Sequence, residues 1–150
     1  MSARLGRVHL RVSDLDRACR FYTRVLGLRI ASREPGQVSL SSPDGRNEVA
    51  LHAGTSESPL LPVSVGARFV GFEVDKLAAL VSVCERLGGA RAHVVDYGDS
   101  WSVHTSDPDG NGVEIYCHLG TDDGAQANQL GRTASLQDLR AAARGETLSV

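Results

Sequence analysis

With 150 residues, 41% of them hydrophobic, the chain is long enough for a compact domain with a proper core. Sixteen basic against eighteen acidic residues give a net charge of -2, without the basic excess of a nucleic-acid binder. No apolar run approaches the ~20 residues of a membrane span and no signal-peptide core is evident, so a cytoplasmic protein with no membrane or nucleic-acid partner is expected.

In chain order, Arg7 to Val12 alternates polar and apolar residues, the mark of a half-buried strand. Ser13-Asp14-Leu15-Asp16 then supplies a helix start. Ala18, Cys19, Tyr22, Val25 and Leu26 form that helix's apolar stripe, and Gly27 ends it. Strands are expected near Leu28–Ser32, Val38–Ser42 and Glu48–Ala53. The stretch from Gly54 to Gly66 reads as a linker. A second series comes next: a strand at Phe69–Val74, a helix at Asp75–Leu87, and strands near Ala92–Asp96, Trp101–Ser106 and Val113–His118. The segment 119–150 reads as a polar tail, irregular over Thr121–Thr133, ending in a short helix. Cys19, Cys84 and Cys117 form an odd set with no CxxC, which predicts buried, reduced thiols.

The second series repeats the first. Val8, Leu10, Val12 and Leu15 return as Val70, Phe72, Val74 and Leu77, each 62 positions later. Each half closes on a Pro-Asp-Gly turn, at Pro43 and at Pro108, followed by an apolar strand. This predicts an α+β fold of two tandem βαβββ modules, about 5–54 and 67–118, within a domain spanning 1–118. The two sheets would form a shared cup.

Successive side chains of a strand point to opposite faces, so the apolar parity of each strand assigns the other parity to the cup. Arg7, His9 and Arg11 take it from the first strand. Glu48, Ala50 and His52 take it from the fourth. Phe69, Gly71 and Glu73 do so in the second module, with Ser102 and His104, and then Glu114, Tyr116 and His118. His93 falls outside this set. Trp101 is expected in the core. Asp107 and Asp109 belong to a turn set by Pro108 and Gly110.

The strings VHLRVSDLDRACRFYTRVLGL and DPDGNGVEIY resemble the vicinal oxygen chelate superfamily of glyoxalases, bleomycin-resistance proteins and extradiol dioxygenases. The resemblance covers Leu5 to His118. It implies a paired βαβββ fold, a divalent metal (Fe, Mn, Ni or Zn) in the cup, and chelation of neighbouring substrate oxygens. The family's ligand positions fall here on Arg7, Ala50, Phe69 and Glu114, of which only Glu114 keeps a ligand side chain. No metal is therefore expected at the family positions. A displaced set of His9, His52 and Glu114 is the alternative.

The reading is a protein binding a small polar or aromatic metabolite or antibiotic, as a homodimer. Arg7, His9, Arg11, His52, Phe69, Glu114 and Tyr116 are the ligand-binding candidates. Arg7 and Glu114 are expected to be close enough to pair, and Arg7 and Arg11 to orient an anionic ligand. Two alternatives stay open. One is a metal-dependent dioxygenase or lyase with Glu114, Tyr116 and His104 as catalytic candidates; the other is an inert dimerisation module.

Overall fold

The alternation that begins at Arg7 becomes a strand because one parity has a helix to pack under. A computed structural model of the chain describes residues 7–46, 48–54, 69–120 and 131–145. They fall into two compact units: Met1–Ala67 with Asp107–Asn111, and Arg68–Ser106 with Gly112–Val150. Most of the expected linker, residues 55–66, and residues 121–130 of the expected tail lie outside the described residues.

In the first unit β1 (Arg7–Val12) leads into α1 (Leu15–Val25), followed by β2 (Arg29–Glu34), β3 (Gln37–Ser41) and β4 (Glu48–Ala53). The sheet order is β1-β4-β3-β2, with β1 parallel to β4 and the other pairs antiparallel. Asp14 caps α1 by accepting from the Arg17 backbone N–H, and that hydrogen bond holds its carboxyl below the usual range. Ala18, Cys19, Tyr22 and Val25 bury the helix's apolar stripe, while Val38, Leu40, Val49 and Leu51 are buried on β3 and β4. β2 extends two residues past the expected Ser32. Gly36, at φ 77°, then supplies the left-handed residue that turns the chain into β3.

The second unit repeats the plan with β5 (Val70–Glu73), α2 (Leu77–Leu87), β6 (His93–Asp96), β7 (Ser100–Ser106) and β8 (Gly112–His118). Its sheet order begins β5-β8-β7-β6, the same connectivity as the first, with β5 parallel to β8. The early and late elements of the repeat thus share one topology. Trp101 is only 3% exposed, a core residue as expected. All three cysteines are free and buried, and burial raises each thiol's pKa.

The C-terminal segment departs from the expected irregular tail. Arg132–Ala134 forms β9, which pairs antiparallel with β6 and makes the sheet five-stranded. α3 (Leu136–Ala143) then packs on α2, with Leu139 fully buried and Arg140 bridged to Glu85 at 2.9 Å. A reciprocal Ser135–Asp138 capping box starts α3. The chain enters β9 through Gly131, at φ 64°. A Cβ there would strike the side chain of Val95 and lie 2.7 Å from a ring carbon of Tyr97. Gly131→Ala should therefore be destabilised by more than about 1 kcal/mol, through both strain and overlap. A urea midpoint equal to wild type would contradict it.

The two strings that carry the resemblance meet in the first unit. The Asp107–Asn111 turn belongs to that unit, and the Tyr22 hydroxyl donates to Asp107 Oδ2 at 3.0 Å. Asp107 also accepts from the backbone N–H groups of Asp109 and Asn111 and from Asn111 Nδ2, so a carboxylate 3% exposed is fully satisfied. Asp109 Oδ1 accepts from the Ser13 backbone N–H beside the start of α1, at 2.9 Å. Burial first, and the Asp107 charge second, push the Tyr22 hydroxyl above the usual tyrosine range. Tyr22→Phe should cost about 1.5–3 kcal/mol, the loss of a buried hydrogen bond to a charged acceptor. Because the folded pKa is raised, Tyr22's stabilisation is complete below the unfolded value near ~10 and is lost as pH rises past it. Wild type should therefore lose stability above that pH faster than Tyr22→Phe does, as urea unfolding at a series of alkaline pH values would show.

Candidate functional site

The parallel register of β1 and β4 decides what meets on the polar face of the first sheet. Arg7 lies opposite Glu48, His9 opposite Ala50, and Arg11 opposite His52. Arg7 bridges Glu48, with Nε at 2.9 Å and Nη2 at 2.8 Å from the same carboxylate oxygen. His9 reaches diagonally past Ala50, and its Nδ1 lies 2.7 Å from His52 Nε2 with the rings near parallel. Ala50 and Ser39 are buried on this face. Glu48 is held below the usual carboxylate range first by a hydrogen bond from Ser39 and then by Arg7. Arg11 is exposed, and among the described residues its guanidinium has no ion-pair partner.

On the second sheet's polar face, β7 and β8 place Ser102 opposite Tyr116 and His104 opposite Glu114. Ser102 Oγ donates to Glu114 Oε1 at 2.8 Å, and His104 Nε2 lies 3.3 Å from the same oxygen. Phe69 stacks on His104 with ring centroids 4.6 Å apart. Gly71 sits beside Glu114 in the register. A Cβ there would come within 3.3 Å of the Tyr116 ring, so the glycine leaves room for both side chains. Burial, then the charges of Glu73 and Glu114, raise the Tyr116 hydroxyl's pKa. His118 is exposed at the strand end, edge-on to Tyr116.

The structure thus gathers Arg7, His9, Arg11, Glu48 and His52 on one face in the first unit, and Phe69, Ser102, His104, Glu114 and Tyr116 on one face in the second. Arg7 takes Glu48 as its partner, and Glu114 takes Ser102 and His104. One correction concerns His93, which the strand reading set aside. It lies opposite His104 in the β6–β7 pair, ring centroids 6.3 Å apart. Two adjacent apolar residues, Val94 and Val95, hid the parity of β6. Counting outward from the Gly98 turn would have found it, because His93 and His104 are equidistant from the turn's centre.

Residues 4–115 match the model of the Glyoxalase/Bleomycin resistance protein/Dioxygenase superfamily. The chain belongs to this superfamily. It is 26% identical over 121 residues to the catechol-2,3-dioxygenase of Bacillus subtilis (strain 168), covering 75% of this chain and 40% of that protein. The chain thus spans under half the length of that relative. Among solved structures, a glyoxylase/bleomycin resistance protein/dioxygenase domain from Frankia sp. EAN1pec matches at a TM-score of 0.66 and 23% identity, covering 81% of this chain and 96% of that one. A lactoylglutathione lyase from Agrobacterium tumefaciens matches at 0.57 and 27%, covering 78% and 94%.

Members of the superfamily commonly use a divalent metal, and the positions that the resemblance assigns to its ligands hold Arg7, Ala50, Phe69 and Glu114 here. Arg7 brings a permanent cation already committed to Glu48. Ala50 and Phe69 offer no donor atom. Glu114 alone can ligate, and its Oε1 is engaged by two neighbours. Among the described residues no three His, Cys, Asp or Glu side chains gather as a metal site. On the first face, both Ser39 and Arg7 hold the Glu48 carboxyl down. Ser39→Ala and Arg7→Ala should each raise the Glu48 pKa, read by NMR titration of its side-chain carboxyl. An unchanged value in both variants would contradict this arrangement.

Proposed function

We propose that this superfamily member binds a small anionic or electron-rich aromatic molecule without metal chemistry at the family positions. The carrying observation is the side-chain set at positions 7, 50, 69 and 114, where a guanidinium, a methyl and a phenyl group accompany one engaged carboxylate. Two features favour this ligand class. Arg11 presents an exposed guanidinium with no ion-pair partner among the described residues, the group best suited to carboxylate or phenolate. Phe69, His104 and Tyr116 offer flat aromatic surface next to hydrogen-bonding groups. The second reading, a metal-dependent dioxygenase or lyase using Glu114, His104 and Tyr116, is favoured by the name of the Bacillus relative and by the His104–Glu114 contact.

The test is a thermal-shift screen of aromatic carboxylates and phenols with a chelator present, followed by calorimetry. Arg11→Ala should weaken a hit docked on the first face by about ten- to a hundredfold, the loss of one charge-assisted hydrogen bond at about 1.5–3 kcal/mol. On the second face, His104→Ala should weaken a hit that docks there through lost ring contact. Wild-type affinity in both variants, or turnover of a catechol that the chelator abolishes, would overturn the proposal.

A further inference from the structure

We propose that His9 and His52 form a two-imidazole site for a square-planar divalent cation, Cu²⁺ foremost and Ni²⁺ next. The site uses none of the four family positions. Both histidines lie two residues further along their strands, on the same face, and both come from the one rigid β1–β4 ladder.

The geometry selects the ion. Two nitrogens bound at about 2.0 Å in cis positions of a square plane sit about 2.8 Å apart, whereas a tetrahedral ion holds them about 3.3 Å apart. His9 Nδ1 and His52 Nε2 are already 2.7 Å apart. In the metal-free pair one nitrogen donates its hydrogen to the other. When a cation binds, the donor ring carries its hydrogen on its other nitrogen instead, with no net proton released, and the rings turn so that both facing lone pairs reach an ion beside the line joining the two nitrogens, at nearly the same spacing. Zn²⁺ in tetrahedral geometry would have to spread the pair. His9 is exposed and His52 partly so, which gives the ion access and lets the rings turn their lone pairs towards it.

The neighbours permit it. Ala50, opposite His9 in the register, adds no bulk. The Glu48 carboxylate interacts favourably with a positive charge at His9 and neutralises Arg7 beside it. Arg11, opposite His52, is an opposing charge, but on a long and exposed side chain. With two protein ligands, the remaining positions are left to water. Affinity then obeys the general order in which Cu²⁺ exceeds Ni²⁺ and Zn²⁺.

Titrating the full chain with Cu²⁺ alone, in a non-coordinating buffer, should show about one tight equivalent per chain, with electron paramagnetic resonance reporting a tetragonal ion coupled to two nitrogens. His9→Ala and His52→Ala should each weaken it more than tenfold, about 1.4 kcal/mol or more. His118→Ala, which removes another exposed histidine, should not. If an alanine variant fails to fold by circular dichroism, His9→Gln and His52→Gln replace it. The absence of a tight equivalent, unchanged affinity in the His9 and His52 variants, or a spectrum with fewer than two coupled nitrogens would each overturn the assignment. No organic ligand is present, so the result is independent of the small-molecule reading.

Discussion

Each sheet of this protein depends on one constraint: a strand covered by a helix on one side must give its apolar residues to that side and its polar residues to the other. Val12, Val49 and Leu51 answer it in the first unit, and Val103, Val113 and Ile115 in the second. The polar face is then built by default. Register alone decides which of its residues become neighbours. The same connectivity in both units, with one parallel pair in each repeat, places chemistry-bearing side chains on adjacent strands twice over.

The buried Tyr22–Asp107 contact joins the two strings by which the superfamily is recognised. Tyr22 and the groups of its own turn fill the hydrogen bonds of Asp107, which thereby ties the turn to the helix. On the open faces this chain carries a guanidinium at Arg7, a methyl at Ala50 and a phenyl group at Phe69. Those faces carry an exposed arginine, a pair of imidazoles, and an aromatic patch around a hydrogen-bonded carboxylate.

Much of this was legible in the sequence. The repeat and the period-two alternation of β1, β4 and β8 pointed to the fold class and assigned Arg7, His9, Arg11, His52, Glu114 and Tyr116 to polar faces. The partners of those residues were not legible. β1 and β4 are parallel and far apart in the chain, so no turn reveals that Arg7 faces Glu48 or that His9 reaches His52. Hairpin counting would have paired His93 with His104, but consecutive valines masked the strand's period. β9 escaped because three residues, two of them polar, carry no periodicity. It is a strand because β6 offers it an edge and α3, packed on α2, anchors its C-terminal end.

The most direct test is whether a metal occupies the family's position at Glu114. Crystals of the full chain grown with excess Mn²⁺, with diffraction data collected at the manganese edge, would locate any such ion by its anomalous signal. The side chains at positions 7, 50, 69 and 114 predict no peak within ligand distance of the Glu114 carboxylate, with Ser102 still donating to it. A strong peak there, with Ser102 or His104 displaced to make room, would contradict a metal-free role for this site.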